Sequence, residues 1–217
     1  MTPPPTTPSA AVDTPPSPSL RETRDAGSER TRLRVHPERS TPSELADILR
    51  GGLIAQVAIA DEEGPVVIPM TYYVDPESPT SIYIHGAHHS RLMAHTGSGK
   101  PVCVSITLVD GLVYSRTALY HSVNYRSAVC FGTARVVDDM DEQRRVSEGL
   151  VTRYFPARTA GVDYDPIPAE HLGATAFVAI DIVEASAKVR RGPPKGPRDH
   201  DPDAPGSAGV IDFSPPR

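Results

Sequence analysis

The stretch LIAQVAIADEEGPVVIPMTYYVD, residues 53–75, decides the fold. Two apolar runs rich in β-branched residues, Leu53–Ala60 and Val66–Asp75, flank the turn DEEGP. Such runs suit a pleated, half-buried surface, and a short connection containing Gly and Pro suits a hairpin. The stretch therefore predicts two strands paired antiparallel as neighbours.

Outward from it, the same grammar repeats. PESPT turns into SIYIHGA (Ser81–Ala87), where Ile82 and Ile84 alternate with Tyr83 and His85 to give two distinct faces. SRLMAHTGSG predicts a short helix stopped by glycines. PVCVSITLVDG and LVYSRTAL predict a strand pair turning at Asp110-Gly111. SAVCFGTARVVD predicts a further strand, MDEQRRVSEGLVTRYF a helix, and TAFVAIDIVEASAKVR a last strand. On the other side, STPSELADILRGG predicts a helix. Thr41 and Glu44 fit a capping box and Pro42 suits the first position. Leu45, Ile48 and Leu49 form one apolar face, and Gly51-Gly52 ends it. About six short strands pairing with their neighbours, with helices before and between them, predict a mainly β, antiparallel barrel with peripheral helices rather than a doubly wound sheet. A small barrel is filled by its own side chains, so a larger ligand is expected in a surface groove, commonly at a subunit boundary.

The chain has 217 residues, room for one domain with tails. Of its 24 prolines, seven fall in MTPPPTTPSAAVDTPPSPSL. That stretch buries too little apolar surface to offset its ordering entropy. Residues 1–30 are expected as a disordered tail, 31–196 as the folded domain, and 197–217 as a Pro/Gly/Asp-rich C-terminal segment. The N-terminus lacks the basic and apolar regions of a secretory signal, and no run of about 18 apolar residues spans a membrane. Cys103 and Cys130 sit in apolar runs without C-x-x-C spacing, as expected of reduced thiols in a cytoplasmic protein. A net charge of −5 and a pI near 5.9 argue against nucleic acid as a partner.

Three stretches carry candidate chemistry. YIHGAHHSRLMAHTGSGKP (Tyr83–Pro101) holds His85, His88, His89 and His95. A metal cluster is disfavoured, because adjacent His88 and His89 diverge and no carboxylate supports them. GAHHSR opening a helix offers free N–H groups, the Ser90 hydroxyl and the Arg91 fork to an anion; the competing reading is a solvated loop with an ordinary helix cap. SRTALYHSVNYRSAV (Ser115–Val129) packs Arg116, His121, Asn124, Tyr125 and Arg126 into one connector. There Arg126 suits a phosphate or carboxylate, Tyr125 a planar ring, and His121 a proton donor or axial ligand; an exposed polar loop accounts for them equally well. ASAKVRRGPPKGPRD follows the last strand with Lys188, Arg190, Arg191 and Lys195, either an anion clamp or a solvated tail. No G-x-S-x-G, Walker A or G-x-G-x-x-G motif is present.

Together VVIPMTYYVD, IYIHGAHHSRLM, VCVSITLVDGLVYSRTALYHSVNYRSAVCFGTARVV and EASAKVRRGPP resemble the pyridoxamine 5′-phosphate oxidase-related flavin-nucleotide-binding proteins, the group that includes the nitroimidazole-resistance reductases. The resemblance covers residues 34–196. It implies a split β-barrel, usually a homodimer, with FMN in a groove between subunits. Ser90 and Arg91 are then expected at the FMN phosphate, and Thr71 with its strand backbone at the isoalloxazine. His85 falls on the substrate side, while Lys188 and Arg190 complete the anionic end. With Tyr125 and Arg126 these form the expected cofactor-binding set, and His85 and His121 are the expected proton donors. Relatives of the barrel also bind haem, for which His85, His88 or His121 is the candidate axial ligand. The chain departs from this branch at Gln56, where a histidine is common, at Tyr120, which replaces the first histidine of HHSxNYRS, and at Ser207–Gly209, where WAG is common. The resemblance implies an FMN-dependent oxidoreductase acting on a small molecule. A haem enzyme of oxygen or nitrogen chemistry and a non-catalytic cofactor-binding sensor are the alternatives.

Overall fold

The computed structural model describes residues 28–213; the predicted tail falls outside the described residues except for Ser28, Glu29 and Arg30. Those three are engaged. Ser28 and Arg30 both bond the Glu184 carboxylate, and the Arg30 guanidinium lies 4.4 Å from the Phe131 ring centroid.

Seven strands make one antiparallel sheet: β1 (Ala55–Asp61), β2 (Gly64–Met70), β3 (Ser81–Ala87), β4 (Pro101–Tyr114), β5 (Ser122–Val136), β6 (Thr175–Arg190) and β7 (Gly209–Asp212). The order is β2-β1-β4-β5-β6-β3, with β7 added to β4. The predicted hairpin is the β1–β2 pair, in register from Ala55 opposite Met70 to Asp61 opposite Gly64. The sheet curls on itself into a split barrel. Its interior is filled by Val57, Ile82, Ile84, Val104, Ile106, Ala128, Val178 and Ile180, with Ile48 and Leu49 of α1 (Leu45–Gly51) plugging it.

The predicted turn at Asp110-Gly111 is corrected by the structure. β4 runs straight through it as one 14-residue strand. Val109 pairs with Tyr125 and Gly111 with Asn124, so Asp110 is the extra residue of a bulge. The dipeptide serves pairing rather than reversal. The Asp110 carbonyl accepts from Phe213 N–H at 2.8 Å, and a Cβ on Gly111 would come within 2.5 Å of the Ile211 carbonyl of β7. A second bulge, at Val183, lies between the pairs Phe131–Glu184 and Gly132–Ile182. Bulges bend and twist the strand that carries them, which helps these long strands curl.

The predicted capping box is also replaced. The Thr41 hydroxyl is buried without a partner, while its backbone N–H donates to the Ala187 carbonyl of β6 at 3.0 Å. Glu44 turns instead to Arg191, at 2.6 Å. Tethering Thr41 to β6 makes Pro42–Glu44 a 3₁₀ turn leading into α1.

Strand two ends at Met70, earlier than its apolar pattern suggests. β2 and β3 are the two ends of the sheet, yet Tyr73 already pairs with Tyr83 of β3 through bonds of 2.9 and 2.8 Å. Three residues therefore cross from one sheet edge to the other. The middle one, Tyr72, is fully buried, and its hydroxyl donates to the Leu49 carbonyl at 2.7 Å with Gly52 O at 3.1 Å. The helix α3 (Met140–Tyr154) secures the crossing from outside: Tyr72 N–H donates to the Tyr154 hydroxyl at 3.0 Å, which donates in turn to Leu53 O. α3 packs over β3 and β6 on a second core of Tyr83, Val137, Val146, Leu172, Phe177 and Ala179. Two shorter helices, α2 (Arg91–Thr96) and α4 (Ala169–Ala174), complete the fold. No helix of the described residues is long and apolar enough to cross a membrane.

Replacing Tyr72 by Phe keeps the packing and removes one buried donor. A loss of about 1 kcal/mol is expected, read as a lower urea midpoint at unchanged slope. An unchanged midpoint would show that the hydroxyl does not hold the crossing.

Candidate functional site

Because β2 and β3 are terminal strands, each turns one edge with no strand partner toward the split between them. Such edges present unpaired N–H and C=O groups, ready to read a planar polar ligand. The crossing at Thr71–Tyr73 bounds the split at one end. At the other, Arg91 reaches from the start of α2 to the β1–β2 turn. Its Nε and Nη2 donate to the Asp61 carboxylate at 2.6 and 2.5 Å, and Nη2 also reaches Gly64 O at 3.2 Å.

Each predicted site residue now has a place. Thr71 is exposed on the crossing. Ser90 caps α2, its hydroxyl accepting from Met93 N–H at 3.3 Å. The Arg91 fork, expected at a phosphate, is held by a carboxylate, because the hairpin turn sets Asp61 directly in its reach. The Arg91 guanidinium draws the Asp61 carboxyl down to about 2. His85 shares the outer face of β3 with Tyr83 and stacks on Phe177, ring centroids 5.8 Å apart. With Ser147, Leu150 and Val151 of α3 it lines a cavity of about 290 Å³. Its Nδ1 is buried without a hydrogen-bond partner, and burial lowers its pKa below 6.5, leaving the imidazole neutral at pH 7. His95 is buried, its Nδ1 likewise without a partner and its Nε2 3.2 Å from the Pro101 carbonyl. His88 and His89 are exposed, and among the described residues no three His, Cys, Asp or Glu converge as metal ligands.

The remaining predicted residues lie at the opposite end of the barrel. Tyr125 is paired with Arg190, and Lys188 with Ser127. Phe177, beside His85, and Arg190 are thirteen residues apart on β6, about 40 Å of extended strand. Arg126 is held by Asp110 at 2.6 Å, next to the Glu44–Arg191 pair. Arg190 is buried and donates to Asn124 Oδ1 and Gly192 O. His121 is exposed, with Nδ1 3.1 Å from Ala118 O, and lies nowhere near His85. The dense polar connector is explained by the C-terminal segment: Asp199 accepts from the Ser115 hydroxyl and Arg116 N–H, and the Arg116 side chain reaches Asp201 O and Gly206 O. Within the chain the structure thus gathers Thr71, His85, Ser90 and Arg91 on the β2–β3 side and separates them from Tyr125, Arg126, Lys188, Arg190 and His121. Sequence reasoning missed Asp61, which looked like a turn residue, and the α3 residues Arg153 and Tyr154.

Residues 41–189 match the family model for pyridoxamine 5′-phosphate oxidase. The chain belongs to this family. No curated protein matches it. Among solved structures, a flavocytochrome from Azotobacter vinelandii is 28% identical, covering 88% of this chain and 88% of its own, with a TM-score of 0.74. An FAD- and haem-binding protein from Mycobacterium smegmatis is 31% identical over 82% of this chain and 86% of its own, TM-score 0.68. A candidate 5-nitroimidazole antibiotic resistance protein from Bacteroides thetaiotaomicron, 21% identical over 68% and 82%, TM-score 0.55, shares the fold. The pyridoxamine 5′-phosphate oxidase fold is therefore the frame on which the split and its flanking residues sit.

The Asp61–Arg91 pair gives a pH signature. A depressed carboxylate contributes stability that is present above the unfolded pKa and lost as pH falls through the folded one. Carboxyl NMR of Asp61 should titrate with a midpoint near 2, and Arg91→Ala should return it toward 3.8. A midpoint already near 3.8 in the unmodified protein would mean the pair does not form in solution.

Proposed function

We propose that this chain binds a flavin in the split between β2 and β3 and acts as a redox protein that also carries a haem. The observation that carries the reading is the pair of similar proteins, a flavocytochrome and an FAD- and haem-binding protein, each aligned over more than four-fifths of this chain. The split supports it, since free strand edges match the donors and acceptors along one side of an isoalloxazine. The flavin is read as FAD, on the mycobacterial protein, rather than the FMN that the sequence resemblance implied.

A bound flavin supplies one- and two-electron chemistry and haem supplies one-electron chemistry. The chain's own part is binding and orientation. The β2 edge and the Thr71 hydroxyl would fix the ring plane. Ser90 and Arg91 would meet a phosphate, with Arg91 exchanging Asp61 for it. His85 would accept a proton at Nδ1 or ligate iron, because it is neutral, half-buried, unpartnered there and faces a cavity. The residues stranded at the far end of the barrel would enter the same site only from a second copy. A homodimer with a composite groove is therefore part of the proposal, and an oxidoreductase with a small-molecule acceptor is the activity it implies.

The test is an absorption spectrum of the purified protein, with released flavin identified by chromatography. Expected are a flavin band near roughly 450 nm and a Soret band near roughly 400 nm. Protein that takes up neither FAD nor hemin would overturn the reading. His85→Ala should abolish or shift the Soret band while flavin is retained. An unshifted band would remove His85 as iron ligand. Sedimentation showing only monomer in the loaded protein would remove the composite groove.

A further inference from the structure

On the opposite side of α3 from His85 lies a second pocket, of about 510 Å³, within the range of small-molecule sites. Its α3 wall is Arg145, Glu148, Gly149, Thr152 and Arg153, one stripe at i, i+3, i+4, i+7 and i+8. The stripe is polar and cationic, and Arg50 faces it from the end of α1. Tyr73 forms one wall. Its ring lies so close to the helix that a Cβ on Gly149 would come 2.6 Å from its Cζ, so Gly149 is what lets the ring seat there.

The decisive group is Arg153. Its Nη2 donates to the carbonyls of Leu49 (3.1 Å) and Gly52, and its guanidinium lies over the rings of Tyr72 (4.3 Å) and Tyr154 (5.6 Å). Among the described residues no carboxylate pairs with it, and its Nε is buried with no hydrogen-bond partner. A half-buried cation with no carboxylate partner among the described residues, on the wall of a cavity, favours an anion there. Arg50 spends Nε on Pro76 O and Nη1 on Asp47 at 3.3 Å, leaving Nη2 without a described contact. Arg145 meets Asp75 and Glu142 only at 3.6 Å each, while Glu142 gives its close contact, 2.7 Å, to Arg135. Glu148 is the one carboxylate in the lining and opposes an anion.

From this arrangement we infer that the pocket between α1, the β2–β3 crossing and α3 is a binding site for a small phosphate- or carboxylate-bearing molecule, received by Arg153 and Arg50 with Arg145 at the rim. The site lies behind the crossing that bounds the split, and the inference holds whether or not the split takes a flavin. The ligand's anion comes from a separate metabolite or from the phosphates of a dinucleotide cofactor, which would then lie here and not at Arg91, and the experiment separates the two.

Inorganic phosphate is titrated into full-length protein while arginine Nε–H signals are followed by ¹⁵N NMR at constant ionic strength. Saturable shifts at Arg153 and Arg50 are expected, with a dissociation constant on the order of 1 mM. Because Arg153 also holds two backbone carbonyls, the variants used are Arg50→Gln and Glu148→Gln. The first should weaken phosphate about tenfold, and the second should tighten it by removing the opposing charge. Shifts reproduced by chloride alone, or affinity unchanged in both variants, would overturn the proposal. Repeating the titration on FAD-loaded protein assigns the source. Unchanged affinity points to a separate metabolite, and lost binding together with weaker FAD retention in Arg50→Gln points to the cofactor's own phosphates.

Discussion

The hydroxyl of Tyr72 and the carbonyls it meets set the geometry of everything around the split. The chain must leave the last rung of β2 and reach β3, at the other end of the sheet, within three residues. A crossing that short works only if the barrel is already curled and the passing backbone is held. A fully buried phenol anchors it to the end of α1 from inside, and Tyr154 takes its N–H from outside. Burial pushes the Tyr72 phenol well above its ordinary pKa, so it stays a protonated donor at neutral pH. The width of the split, the seating of Tyr73 and the position of α3 all follow from that one passage.

Charge is used differently from burial in this molecule. Asp61–Arg91, Asp110–Arg126, Glu44–Arg191 and Arg30–Glu184 each join segments distant in sequence. All are partly exposed, and such pairs contribute little stability individually. Their value is positional: they tie the β1–β2 turn to α2, the bulge of β4 to β5, the start of α1 to the end of β6, and the incoming N-terminus to the β6 bulge. Arg153 breaks the pattern by stacking on aromatic rings and bonding carbonyls in place of a carboxylate.

Much of the fold is legible in the sequence because strand alternation, helix periodicity and turn residues are local signals. The hairpin at residues 53–75, the apolar face of α1 and the extent of β6 follow directly from them. Asp110-Gly111 misleads because the same dipeptide serves a turn or a bulge, and the choice is made by β7, far along the chain. Thr41 misleads because its backbone is claimed by β6 before its side chain can cap. For the site, the family could be read from motifs, and Thr71, His85, Ser90 and Arg91 could be named from them as candidates. The separation of Arg126 and Arg190 from Ser90 and Arg91 could not, since it depends on strand direction and length. Cys130 is the plain case: an apolar run foretold burial, and burial pushes its thiol up to about 12, leaving it chemically quiet.

The bulge in β4 has a further consequence. One 14-residue strand offers its outer edge to two different partners in succession, β1 along Cys103–Ile106 and β7 along Gly111–Tyr114. A single long strand would otherwise leave a continuous template for pairing with other molecules. Dividing that edge between an early and a late segment of the chain leaves short pieces without a ladder partner, Pro101–Val102 and Thr107–Val109, the second ended by the bulge itself. Until the last strand has been made and docked, however, the second half of that edge stays open. Before β7 docks, the chain is therefore open to pairing with other molecules along that half of the edge.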